Sequence, residues 1–490
     1  MEPYPPSWID RIEQKLGDLD LRVHAVSTEN RIRIIDTPCM WGKPMNQSSA
    51  TACAIEALRD MADTVESMLI GGRQVIDIVS LNPPSGSFLT AIQRGLLALN
   101  GRQVTVRFLY GYVPVEGTVE AFVRDLKDFC RQNKLDTTRM TILVGELYKL
   151  TAFFWNHAKI VAVDGAVALV GGHNLWAESY GTYPPVHDIS LQVIGTAAMH
   201  AQEFANWCWN VGGDNLTVRK INAKWGTDTI APGLQRNQMC VIDISDQHYQ
   251  PVPGEGRRWT TGKMLSLGRG GLLGCNASDV AKEAIIKGAQ RTLKICQQDL
   301  VFTSFTAEKD HKVCHWIAEA LIQNQLLKVD IVVSPIGGAT HGAQYSWGFG
   351  ASGTYALVKS IIESKFPAKL RDEAALQRIL ARLQVAPFCF TQVQFAKEGE
   401  DYLWPDPPDT AVIGRFEKGA LKPSGTYNPA PGNHAKVYIV DDACFYIGSD
   451  NLYPHDLAEF GYLVEGPAVA DLLANYWTPV WRYSSPHKVT

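Results

Sequence analysis

The chain has 490 residues, 46% of them hydrophobic and 20% charged, with a net charge of −4. That composition belongs to a globular protein with room for several cores and excludes a disordered or fibrous chain. The slight acidity gives no bulk attraction for nucleic acid or an anionic membrane, so any anion site has to be local.

Read from the N-terminus, Met1-Glu2-Pro3-Tyr4-Pro5-Pro6 lacks the basic start and apolar segment of a secretory signal. No apolar run reaches the roughly 18 residues that span a bilayer. The expectation is a cytoplasmic or peripheral protein, unless it is exported by a route the sequence does not display. The cysteines are scattered without a Cys-x-x-Cys, so neither a structural metal nor a cofactor is expected. Cys39 and Cys53 flank a loop and would pair only in an oxidising compartment, whereas Cys130, Cys296 and Cys314 read as buried thiols.

Ser7 reads as a helix cap, with Trp8, Ile12, Leu16 and Leu19 on one stripe. A helix carrying Ala54, Leu58, Met61, Val65 and Met68 stops at Gly71-Gly72. Strand 74–81, helix 87–99, strand 104–110, a helix from Thr118 to about Asn133 and strand 140–144 follow. After residue 275 the order recurs: helix 278–291, strand 293–300, helix 306–324, strand 329–334. Residues 335–430 read as mostly loop, with a helical segment near 355–383, and Ser346-Trp347-Gly348-Phe349-Gly350 as an apolar loop fit for a lid or a lipid surface. Residues 211–274, with a candidate strand at Met239–Ile244, read as a connection between the halves.

The most informative stretch is Asn156-His157-Ala158-Lys159, which returns as Asn433-His434-Ala435-Lys436. These are the only two His-x-Lys triplets, and each is followed by an Asp at the same spacing, Asp164 and Asp441. In a strand, positions i and i+2 share a face, so each His and Lys would project together. Asp164-Gly165 is a good hairpin signal and Asp441-Asp442 a weaker one. Gly171-Gly172-His173-Asn174-Leu175-Trp176 then matches Gly448-Ser449-Asp450-Asn451-Leu452-Tyr453, with Asn174 and Asn451 at equal offsets from their histidines. Each hairpin is followed by a further strand and helix, 188–194 then 197–209, and 461–464 then 468–477.

The pattern is an internal duplication. It predicts an α/β protein of two lobes, 1–210 and 275–490, joined by 211–274. Each lobe would be a mixed sheet flanked by helices, and the His strands would form the seam. Two imidazoles facing each other there, each with a Lys and an Asn, suit phosphoryl chemistry without a metal. One attacks phosphorus, the other moves a proton, and the Lys and Asn groups hold the non-bridging oxygens.

On these residues the chain resembles the phospholipase D superfamily, and its flanking segments, including Gln297-Gln298-Asp299-Leu300, resemble the Streptomyces-type bacterial phospholipases D. The resemblance implies that His157 is the nucleophile and His434 the general acid/base. Lys159, Lys436, Asn174 and Asn451 would bind phosphate. Asp188 and Glu459 would orient the imidazole of the opposite motif, although Glu459 stands where Asp is usual, and Asp164 and Asp441 would be structural. It further implies a phospholipid substrate at a membrane surface and water or an alcohol as acceptor, and nucleic acid is not expected as a partner; a monomer is expected. Trp176, Tyr453, Trp155 and Tyr180 are candidates for a headgroup pocket, since quaternary ammonium groups favour aromatic faces.

Overall fold

The computed structural model describes residues 7–17, 24–43, 47–112, 119–181, 185–230, 258–302, 311–335, 339–340, 343–344, 349–365, 373–391, 415–417, 420–422 and 432–489. In the first half the strands are β1 (His24–Thr37), β2 (Val75–Ser80), β3 (Thr105–Tyr110), β4 (Thr141–Lys149), β5 (Ile160–Val163), β6 (Val167–Gly171) and β7 (Asp188–Ile194). Two more, β8 (Leu216–Ile221) and β9 (Thr227–Ile230), extend that half beyond β4. The second half has β10 (Thr260–Arg269), β11 (Thr292–Gln297), β12 (Lys328–Val333), β13 (Leu383–Pro387), β14 (Lys436–Val440), β15 (Cys444–Gly448) and β16 (Glu459–Glu465).

The duplication is a duplication of strand order. The first half runs β4-β3-β2-β5-β6-β7-β1 and the second β13-β12-β11-β14-β15-β16-β10. In each, the first three strands are parallel and the rest antiparallel. Antiparallel pairing of β1 with β10, from His24↔Leu267 to Ile32↔Thr260, joins the halves into one mixed sheet.

The parallel strands are buried along nearly their whole length because helices cover them. In the first half these are α2 (Gln47–Gly71), α3 (Gly86–Ala98) and α4 (Val119–Gln132), around Met68, Leu96, Phe108 and Leu126. In the second, α6 (Ala277–Gly288), α7 (Lys312–Gln323), α8 (Gly350–Lys365) and α9 (Glu373–Leu380) follow α5 (Thr196–Val211) in the chain. The helix α1 (Trp8–Leu16) packs there too, with Ile9 and Ile12 in the second half's core. Its cap is Ser7, whose Oγ accepts from the Asp10 N–H at 3.2 Å and donates to Glu465 at 2.5 Å. A third core is shared, with Phe204 and Trp209 of α5 beside Phe460, Tyr462 and Trp477. Burying each such aromatic or aliphatic side chain stabilises by roughly 1.5–3 kcal/mol.

The mixed α/β architecture is the one expected, with corrections. The His strands are not where the sheets join: the seam is β1, unread in the sequence, and β10, which lies inside the presumed connection. Residues 211–274 therefore supply strands to both halves. The segment near 355–383 is two helices leading into β13, the third parallel strand. Cys39 and Cys53 are both free thiols, and Cys130, Cys296 and Cys314 are buried. Met239–Ile244 and Ser346–Gly348 lie outside the described residues.

Candidate active site at the junction of the two halves

The His-x-Lys segments are not inside strands, as the i, i+2 argument supposed. They are the extended approach to them: β5 begins at Ile160 and β14 at Lys436. The asparagine before each His explains this. Asn156 donates from Nδ2 to the Ser80 carbonyl at 2.9 Å, and Asn433 to that of Gln297 at 2.8 Å. Their Oδ1 atoms accept from the N–H two residues on, Ala158 and Ala435, at 3.3 and 3.2 Å. These Asx turns hook both segments onto the C-terminal ends of β2 and β11. Neither asparagine had been given a role, although both repeats carry one.

Asp164 and Asp441 sit at the start of their hairpins with φ 52°, and Gly165 and Asp442 follow at φ 63° and 54°. The two turns are therefore alike despite their unequal signals. Each carboxylate accepts backbone N–H bonds at the start of the neighbouring strand: Arg73, Gln74 and Val75 at 2.7–2.9 Å, and Gln290, Arg291 and Thr292 at 2.7–3.1 Å. They pin the hairpin to β2 and to β11, rather than pinning only their own turn.

Each half clamps the other. The His157 N–H donates to the Ala458 carbonyl at 2.8 Å and the His434 N–H to that of His187 at 2.7 Å. Ala458 precedes Glu459 and His187 precedes Asp188, so the clamp delivers each acid to the opposite imidazole. Glu459 Oε1 lies 2.7 Å from His157 Nδ1, and Asp188 Oδ2 lies 2.7 Å from His434 Nδ1. The extra methylene of Glu459 is accommodated. Its Oε2 accepts from Ser449 Oγ at 2.5 Å, which sets the reach of the longer arm.

The ammonium of Lys159 folds back onto the His157 carbonyl at 2.5 Å, and Lys436 onto that of His434. Asn174 and Asn451 are each 1% exposed, with a buried Oδ1 that has no hydrogen-bond partner among the described residues. Burial, followed by the charges of the two lysines, holds both imidazoles well below their ordinary range. Burial also lowers Lys159 to about 8 and Lys436 to about 7, and raises Glu459 to about 7. Burial thus disfavours the charged lysines in the empty pocket, and an anion placed between them would restore their charge.

The two asparagines rest on different supports. Behind Asn174, His173 bonds Thr37 Oγ1 and Ser190 Oγ, both at 2.8 Å. The Tyr180 hydroxyl accepts from the Asn174 N–H at 2.9 Å and donates to Asp188 at 3.0 Å. Behind Asn451 the support is ionic. Asp450 accepts from Ser278 Oγ at 2.5 Å and pairs with Lys282 Nζ at 2.8 Å and His455 Nε2 at 3.1 Å, while Arg269 holds Asp279 at 3.0 Å and His455 Nδ1 at 2.9 Å. His173 and Asp450 occupy the same place in the repeat, which marked the pair. Lys282, Arg269 and Ser278 come from distant segments and left no signal.

The four aromatic candidates do not form one pocket wall. Tyr180 is fully buried and supports Asp188, a correction to its reading as a headgroup contact. Tyr453 accepts from Asn451 Nδ2 at 2.9 Å, and its ring lies 5.5 Å from Phe302. Trp155, half-buried, pairs with Tyr148, and its carbonyl accepts from the Ala458 N–H. Trp176 lines a groove that includes none of the other three. His187 stacks on Phe388 at 4.6 Å. Asp450, His455 and Glu459 bring ligand atoms within 4.8 Å of one another, as a metal would require. Lys282 and Arg269 already supply the cations there.

No protein-family model matches the chain. A phospholipase D of Streptomyces antibioticus is 26% identical, over 99% of this chain and 89% of that one. A cardiolipin synthase A of Pseudomonas fluorescens is 35% identical over 123 residues, 24% of this chain and 25% of the relative. Among solved structures, the phosphatidylserine synthase of Haemophilus influenzae shares the fold, with a TM-score of 0.52 and 13% identity over 97% of this chain and 91% of that one.

Proposed function

The chain belongs to the phospholipase D superfamily, and on that premise we propose that it is a phospholipase D, cleaving the headgroup from glycerophospholipids such as phosphatidylcholine. The observation that carries this reading is the crossed pair of acid–imidazole bonds, each 2.7 Å long and each spanning the two halves. With Nδ1 of His157 engaged by Glu459, Nε2 is the nitrogen that attacks phosphorus. The P–N bond forms as the bond to the headgroup oxygen breaks, and His434 gives that oxygen its proton. Water then attacks phosphorus, His434 takes the proton back, the P–N bond breaks and phosphatidic acid leaves.

Burial and the lysine charges keep His157 neutral, as a nucleophile must be. The entering phosphodiester brings a negative charge between the lysines, which favours a protonated His434 and charged lysines. Lys159 and Lys436 take the non-bridging oxygens. A half-turn of the Asn174 or Asn451 amide would offer its N–H₂ in place of the unpartnered Oδ1. No described helix is long and apolar enough to cross a membrane, so on this reading substrate is met at a lipid surface.

An alcohol in place of water would give headgroup exchange through the same intermediate, and the local 35% identity to a cardiolipin synthase favours testing it. Headgroup release from phosphatidylcholine and phosphatidylethanolamine, with and without glycerol or phosphatidylglycerol, should be measured beside cleavage of DNA. Release from the lipids that disappears in His157→Ala is the expected result. Cleavage of DNA alone would replace this reading with a nuclease.

A further inference from the structure

Beside the first half's His segment, a groove of about 360 Å³ opens between α3 and α4. That is within the usual span for small-ligand sites, roughly 300–1,000 Å³. Ile92 and Leu96 of α3 face Phe122 and Leu126 of α4 across it, and its lining is mainly apolar. Asn82 and Trp176 lie along its border. Both are close in the chain to the proposed chemistry. Asn82 is two residues past Ser80, whose carbonyl holds Asn156, and Trp176 is two residues past Asn174.

Asn82 is the informative residue. It is 5% exposed, and its Nδ2 is buried without a hydrogen-bond partner among the described residues. Buried amide donors are nearly always paired in folded proteins, so this one is open to an acceptor from outside the described residues. The acids on the rim have partners in the protein: Asp125 pairs with Arg124 at 3.2 Å and Glu178 with Ser85. They do not call for a cationic ligand. A peptide would bring a row of backbone donors and acceptors, whereas Asn82 Nδ2 is the one buried side-chain polar atom of the lining without a partner among the described residues. A long hydrocarbon with a carbonyl at one end meets both observations.

We propose that this groove takes one fatty acyl chain of the phospholipid substrate, with the ester carbonyl accepting a hydrogen bond from Asn82 Nδ2. The inference rests on the phospholipase reading and adds to it a subsite and a specificity residue. Its test uses a series of short-chain phosphatidylcholines kept below their micelle concentration, their ether-linked analogues, and the chain-free p-nitrophenyl phosphocholine. For the wild type, kcat/KM should rise with acyl length, by about two- to fourfold per buried methylene, and esters should exceed ethers by about tenfold. Leu126→Trp should flatten the length dependence while leaving p-nitrophenyl phosphocholine within about twofold of wild type. Asn82→Ala should bring esters down to the level of ethers.

An active wild type with no preference for esters, or a Leu126→Trp variant that keeps the full length dependence, overturns the groove assignment and leaves the proposed reaction standing. A wild type that releases choline from none of these compounds overturns the reaction itself. The ester–ether comparison needs no variant, so a misfolded Leu126→Trp would not shield the proposal.

Discussion

The two halves share a strand order, a pair of Asx turns, a pair of pinned hairpins and a pair of acid–imidazole bonds, yet they differ behind the asparagines. The first half supports its site with neutral hydrogen bonds from His173 to Thr37 and Ser190 and from the Asn174 N–H to Tyr180. The second uses the buried charges of Asp450, Lys282 and Arg269, with the half-buried Asp279 beside them. Because each acid serves the opposite imidazole, His157 is oriented through the ionic half and His434 through the neutral one. Duplication placed the reacting atoms symmetrically. The unlike groups behind them give two identical residue types different surroundings, as the two roles proposed for them would require.

The largest expected effect tests those roles directly. His157→Ala should lower headgroup release on the order of 10⁴–10⁶-fold. His434→Ala should instead accumulate a phosphatidyl adduct on His157 with a good leaving group, seen by intact mass. An adduct on His434 in the His157→Ala protein would reverse the assignment.

Next comes stability. Lys282→Met removes the lysine charge from the buried carboxylate of Asp450, leaving it Ser278 and His455, and should cost about 3–5 kcal/mol, read as a lower urea midpoint at unchanged slope. His173→Phe, which breaks only neutral hydrogen bonds, should cost about 1–3 kcal/mol. Equal losses would erase the contrast between the two supports.

A smaller effect is expected from shortening the longer acid. Glu459→Asp pulls the carboxylate back from His157 Nδ1 and should reduce kcat about 10–100-fold with little change in KM. An unchanged kcat would show that the reach of Glu459 is immaterial.

The smallest effect is on the pH profile. Lys436 and Lys159, lowered by burial to about 7 and about 8, carry their charge below those values and lose it above them. The kcat/KM for lipid should therefore fall by about a few-fold as pH rises from 7 to 8.5. The kcat should fall less, since bound phosphate holds the protons on. Lys436→Arg stays charged and should remove the lower of the two limbs. A flat wild-type profile across that range would contradict the lysine assignment.

Several features were legible because they are local and repeated. The doubled Asn-His-x-Lys, the Asp after it and the equally spaced Asn174 and Asn451 can be read without knowing any contact. The alternation of helices and strands likewise announced a mixed α/β fold, because apolar periodicity reports burial directly. β1 escaped because His24–Thr37 mixes polar with apolar residues, as suits a strand pairing on both edges at a seam rather than one enclosed by helices. β13 was hidden by the two helices that precede it.

The residue pattern by itself determined that two copies of a His, Lys and Asn set exist and which side chains compose them. The crossing of Glu459 to His157 and of Asp188 to His434 was implied by the family resemblance and by no spacing; only the tertiary structure decided how the two halves deliver those acids, that Tyr180 is a support rather than a wall, and that Lys282 stabilises Asp450. Spacing along a chain specifies which groups share a strand or a turn. Which groups share a hydrogen bond across the junction depends on how the sheets join, here through β1 and β10, and no local periodicity encodes that pairing.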